Sequence, residues 1–69
     1  MEDKDFNRIK VVLVEHKRTA RWLSKALGKD PATVSKWCTN TTQPSLETLF
    51  KISELLQVPV LELIKKQNI

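Results

Sequence analysis

Apolar residues fall on a helical period almost from the start of the chain. Phe6, Ile9, Val12 and Leu13 follow the i, i+3, i+4, i+7 spacing of one helix face, which predicts an amphipathic helix from about Asp5 to His16. Lys17 and Arg18 follow it with charges that suit a helix C-terminus. Thr19 is a fair cap for a second helix, in which Leu23 and Leu27 lie four apart with the small Ser24 beside them. Gly28 stops that helix, since a residue without Cβ turns readily into the left-handed conformation.

The stretch DPATVSKWC, residues 30–38, then restarts the pattern. Asp30 is a good cap and Pro31 suits the first helical position, where its missing N–H does no harm. Val34 and Trp37 give this third helix one apolar edge, while Ala32, Thr33, Ser35 and Lys36 occupy its other sides. TNTTQ, residues 39–43, reads as a polar loop. Pro44 and the cap Ser45 open a fourth helix, with Glu47 complementing its dipole and Leu46, Leu49, Phe50, Ile52, Ser53 and Leu56 at helical spacing. A short fifth helix, from about Val60 to Lys66, is expected to turn Leu61 and Ile64 inward. There is no strand alternation, internal repeat or low-complexity tract, so the expected fold is an all-α, compact five-helix bundle forming one domain over residues 1–69.

Composition narrows the chemistry. At 69 residues the chain is near the lower limit for folding without staples, and a single cysteine excludes an internal disulfide. One His and one Cys cannot fill a zinc site. Stability must come from packing of the 41% apolar residues. No stretch approaches the roughly 20 apolar residues of a membrane span, and the start MEDKDFNR is too polar for a secretory signal. A cytoplasmic location is therefore expected, and Asn40-Thr41-Thr42 reads as a chance match to the glycosylation pattern. No acid/base pair, metal cluster or glycine-rich phosphate loop is visible, the only glycine being Gly28, so neither an enzyme nor a cofactor is expected.

Charge changes the picture more. The net charge is +4, but residues 16–37 carry Lys17, Arg18, Arg21, Lys25, Lys29 and Lys36 against Asp30 alone, an excess of +5. The remainder sums to −1. Such an excess suits a polyanion, although a solvated helix face would read the same. Its coincidence with a helix, glycine turn, helix pattern favours the polyanion, because that motif places its second helix in the DNA major groove.

The run TARWLSKALGKDPATVSKWCTNTTQPSLETLFKISELLQVPVLELI, residues 19–64, resembles the Cro/repressor-type (XRE) helix-turn-helix family of bacterial and phage transcription regulators. LSKALG, the T-V-S-K spacing and PSLETLFKISELLQVPVLELI carry the likeness most specifically, and with the first helix it covers roughly residues 6–65. The resemblance implies a lambda-repressor-like five-helix domain, with helices 2 and 3 as the helix-turn-helix and a recognition helix over about 31–39. Base contacts would then come from Pro31, Ala32, Thr33 and Lys36. Phosphate contacts would come from Thr19, Arg21, Ser35, Thr39, Asn40, Thr41, Thr42, Gln43 and Ser45. Small residues at the start of the recognition helix permit close approach to the bases; Ala32 and Thr33 suit thymine methyls and Lys36 suits guanine O6 and N7. So few directional donors shift more of the specificity to DNA shape.

Some positions depart from the family pattern. Ala20 replaces a phosphate-anchoring Gln, which leaves Arg21 or Lys25 to compensate. Asp30 stands where Ser or Thr is usual. Leu13 and Cys38 together replace a partly buried Arg–Glu pair, and are expected to touch. Trp37 matches a core position, whereas Trp22 matches an exposed one, where it would shield the junction of helices 1 and 2 or lie against a sugar-phosphate edge. Val11 and Val14, on the outer side of helix 1, and Val58, Leu63 and Ile69 are surplus apolar residues.

The implied partner is a double-stranded DNA operator, palindromic and bound by a homodimer, with the C-terminal region as the first place for an interface. Such a regulator, typically a repressor, would be nucleoid-associated and need no small-molecule ligand and no membrane. The rival reading is an antitoxin-like or other protein-interaction module whose DNA binding is secondary. Non-specific nucleic-acid binding is a second rival.

Overall fold

A computed structural model describes residues 5–65. Four α-helices, α1 (Ile9–Glu15), α2 (Ala20–Leu27), α3 (Pro31–Cys38) and α4 (Leu46–Leu56), are closed by one 3₁₀ turn, Val60–Leu63. The expectation of five helices is therefore corrected to four and a turn. α2 packs on both α3 and α4, α1 packs on α3, and the 3₁₀ turn lies against α4 and α1. One core results, built from Ile9, Val12 and Leu13 of α1, Leu23 of α2, Val34 and Trp37 of α3, Ile52 and Leu56 of α4, and Leu63. Trp37 thus serves as a core residue, while Val11 and Val14 face outward as their spacing predicted.

The caps of the middle helices follow the sequence closely. Thr19 accepts a hydrogen bond from Trp22 N–H at 3.0 Å, Asp30 accepts one from Ala32 N–H at 3.2 Å, and Ser45 Oγ accepts one from Thr48 N–H at 3.1 Å. Each satisfies a backbone donor that the first helical turn leaves unpaired. Gly28 closes α2 at φ 70°, in the left-handed region. Lys17, Asn40 and Gln57 adopt the same region at φ 59°, 60° and 57° without being glycine, and Gln57 ends α4.

The first and last elements differ from expectation. α1 begins at Ile9, not near Asp5, because residues 6–8 are committed elsewhere: Arg8 N–H donates to Leu63 C=O at 2.9 Å and Lys65 N–H to Phe6 C=O at 2.8 Å. Asn7 and Ile64 form an antiparallel bridge. Phe6 is consequently half exposed rather than a core residue. The last element is shorter than predicted and turns by one position. Leu63 is fully buried, whereas Leu61 is 79% exposed and Ile64 is also exposed. A 3₁₀ turn of three residues per revolution brings Val60 and Leu63 to the same side, and Ile64 is already extended at φ −110°, ψ 132°. The inward Leu61 and Ile64 are corrected to an inward Leu63, which also removes Leu63 from the surplus apolar surface. Lys66 and Ile69 lie outside the described residues. Leu46 and Phe50, although on the helical period of α4, are solvent-facing.

Candidate nucleic-acid interface

The α2–α3 corner presents the chain's positive charge on open side chains. Arg21, Lys25, Lys29 and Lys36 are all exposed, and none of them forms an ion pair among the described residues. Arg8 shows the contrast, since its guanidinium is shared between Glu15 at 3.9 Å and Glu62 at 3.5 Å. Cations without internal carboxylate partners retain their full charge for an outside anion.

α3 buries Val34 and Trp37 and leaves Cys38 half-buried. Pro31 and Ala32 are exposed, Thr33 is half-buried, and Ser35 and Lys36 are exposed. The five residues thus form one accessible strip with nothing larger than a proline or threonine on its first turn. Lys36 follows Ala32 by four positions, which places it one turn along the same face.

The loop after α3 is held by three amides. Asn40 Oδ1 accepts hydrogen bonds from the backbone N–H groups of Phe6 and Asn7 and from Gln43 Nε2, each at 3.0 Å. Its Nδ2 donates to Asp5 Oδ1 at 2.9 Å and to Asn7 C=O at 3.1 Å. The buried Asn7 donates through Nδ2 to Trp37 C=O at 3.0 Å and to Gln43 Oε1 at 2.7 Å, and accepts from Ile9 N–H at 3.0 Å. Asn7 had no expected role, since it fell inside a helix expected from about Asp5. The hydrogen-bonding capacity of Asn40 is thus largely used inside the protein, and Gln43 is engaged there too.

The hydroxyls are placed differently. Thr39 Oγ1 donates to the Ser35 or Lys36 carbonyl at 3.2 and 3.3 Å and lies 2.8 Å from Thr41 Oγ1. Ser45 donates to Thr48 Oγ1 at 2.9 Å while it caps α4. Thr41 and Thr42 are exposed. Thr19, Ser35 and Thr39 line one hollow of about 350 Å³ between α1, α3 and the start of α2, together with Lys10, Leu13, Val14, Arg18, Ala20 and Cys38.

Leu13 and Cys38 both line this hollow, and Cys38 packs against the core cluster to which Leu13 belongs. Burial pushes the Cys38 thiol above its ordinary value, and the nearby Lys10 ammonium opposes that only in part. Trp22, half-buried, packs on the edge of the core, with the Arg18 guanidinium 4.5 Å above its ring. Among the described residues no group of His, Cys, Asp and Glu has the arrangement of a metal site, and no helix is long and apolar enough to cross a membrane.

The comparisons agree with this geometry. A model of the helix-turn-helix family matches residues 9–63. A crystal structure of a "putative DNA-binding protein" from Bacteroides fragilis superimposes with a TM-score of 0.84 at 54% sequence identity, covering 86% of this chain and 95% of that one. No curated protein matches. With four helices, an α2–Gly28–α3 corner and a family match that runs from α1 to the 3₁₀ turn, the chain belongs to the XRE-type helix-turn-helix family.

Proposed function

We propose that the protein is a sequence-specific double-stranded DNA-binding regulator that acts by occupying an operator, without catalysis. The observation that carries this reading is the exposed strip of α3 beside cations that no carboxylate among the described residues neutralises. α3 enters the major groove with Pro31, Ala32, Thr33 and Lys36 toward base edges. Lys36 donates to guanine O6 and N7, and Ala32 and Thr33 pack on thymine methyls.

Arg21, Thr19, Ser35, Thr39, Thr41, Thr42 and Ser45 supply the phosphate contacts in this reading. Asn40 and Gln43 contribute by holding the loop in shape, with their backbone groups toward the duplex. Two copies bind a palindromic site, with half-sites about one helical turn apart.

Selection of bound duplexes from a random pool at about 0.15 M salt tests the reading. The expected product is an inverted repeat, and Lys36→Ala is expected to lose preference at one base per half-site. Absence of any enriched sequence would refute specific recognition and favour a protein-interaction role.

A further inference from the structure

We propose that Arg18, held over the indole of Trp22, is a principal DNA-backbone contact, and that it replaces the anchor which Ala20 cannot provide. The inference rests on the DNA-binding reading and adds a residue that motif position did not single out. Arg18 precedes α2 and lies outside the helix-turn-helix itself.

Three observations converge on it. The first is location: Arg18 lines the same hollow as Thr19, Ser35 and Thr39, three of the hydroxyls assigned to phosphate, with Lys10 also on its wall. A phosphate approaching those hydroxyls therefore comes to the guanidinium as well, whereas the methyl group of Ala20 offers it nothing.

The second is how the guanidinium is held. It stacks 4.5 Å from the centroid of the Trp22 ring, and Trp22 is itself fixed by packing on the core and by its backbone hydrogen bond to Thr19. A cation on an aromatic face is restrained without being neutralised, and its edge N–H donors stay open for a planar, two-pronged contact to phosphate oxygens. A carboxylate partner would have restrained it too, but at the expense of those donors, as Glu15 and Glu62 do for Arg8.

The third is the backbone. Lys17 takes the left-handed conformation at φ 59°, and Arg18 N–H returns to Leu13 C=O at 2.8 Å. This turn is what aims residue 18 back across α2 toward Trp22, four residues on. It also accounts for a large aromatic at a half-exposed position: Trp22 positions the arginine, rather than meeting the nucleic acid with its own ring.

The test is titration of a fluorescein-labelled duplex of about 20 mixed base pairs across about 0.05 to 0.2 M salt, for which each phosphate contact contributes about 0.9 to the log–log slope. Arg18→Ala is expected to lower affinity about tenfold and to reduce the slope by about one contact. Trp22→Leu, which keeps apolar bulk, should lose part of the same affinity, and Trp22→Phe should restore most of it. Lys51→Ala, on the wall of a different hollow with Ala26, Leu27, Glu54 and Leu55, serves as the control for net charge and should leave the slope unchanged. Wild-type binding with a clear slope that Arg18→Ala leaves intact would overturn this inference and spare the DNA-binding reading. A wild-type chain with no salt-dependent binding would overturn both.

Discussion

Asn40 and Gln57 share a backbone conformation and should respond in opposite ways to the same substitution. Both hold a left-handed φ near 60° without being glycine, which costs an ordinary residue about 1–2 kcal/mol. At Gln57 no side-chain hydrogen bond offsets that cost, so Gln57→Gly should stabilise the fold by about 0.5–1 kcal/mol, less whatever the greater freedom of glycine in the unfolded chain removes. At Asn40 the amide serves two backbone N–H groups, Gln43 and the Asn7 carbonyl. Several part-buried and exposed hydrogen bonds are lost together, each contributing about 0.5–1.5 kcal/mol, which exceeds the relief, so Asn40→Gly should destabilise by about 1–2 kcal/mol. Urea unfolding of the two variants compares them directly, and a gain in both would show that the Asn40 amide contributes little.

Cys38 adds a prediction in pH. Because burial raises its thiol pKa in the folded chain, the neutral thiol is favoured by folding. Below the unfolded-state value both states are protonated and the stability is unaffected; as pH rises through that value toward the folded one, the unfolded chain loses its proton first and stability falls. An alkylating reagent should therefore react slowly with the folded protein at neutral pH and much faster after denaturation. Rapid neutral-pH modification of the native chain would contradict the burial argument.

At the scale of elements, the strength of a cap sets how much each helix depends on one side chain. Thr19→Ala and Ser45→Ala each remove the acceptor for one first-turn N–H and should each cost about 1 kcal/mol, read as a shift in thermal midpoint. If Thr19→Ala proved neutral, the packing of Trp22 on the core would be holding the start of α2 unaided. These middle helices were legible in the sequence for that reason: Thr19, Gly28, Asp30 and Ser45 are local signals that act within three residues of where they stand. The ends were not legible, because what fixes them is distant. Phe6 satisfies a helical period as well as Ile9 does, and only the pairing of residues 6–8 with residues 63–65 removes it from α1. Likewise, Val60 with Leu63 and Leu61 with Ile64 have the same spacing, and only the choice of a 3₁₀ turn decides between them. The interface divides along the same line. The accessible strip of α3 follows from its own apolar edge, but the engagement of Asn40 by Asn7, thirty-three residues away, has no local signature.

At the scale of the whole molecule, the first and last described segments join at one place. Arg8, Phe6, Leu63 and Lys65 exchange backbone hydrogen bonds there, and Asn7 carries the connection on to the Trp37 carbonyl at the end of α3. Leu63 is consumed in this closure, so the proposed interface between two copies near the C-terminus would use other residues. Among the described residues Leu61 is the most exposed large apolar one, at 79%, and Leu46 and Phe50 of α4 are exposed as well. A side chain that contributes so little to its own core is the right one with which to separate association from folding. Leu61→Glu should change stability by no more than about 0.5 kcal/mol, as exposed substitutions do. In a two-fold interface the change is felt twice, once from each copy. The expected result is a folded protein that sediments as a monomer on a duplex containing one half-site and no longer selects the inverted repeat. Retention of the repeat with unchanged affinity would place the contact between copies away from Leu61 and direct attention to Val11 and Val14, which are also exposed. Loss of folding would instead mean that the 3₁₀ turn depends on Leu61 in a way its exposure does not suggest, and a thermal scan of the variant separates that outcome from the first.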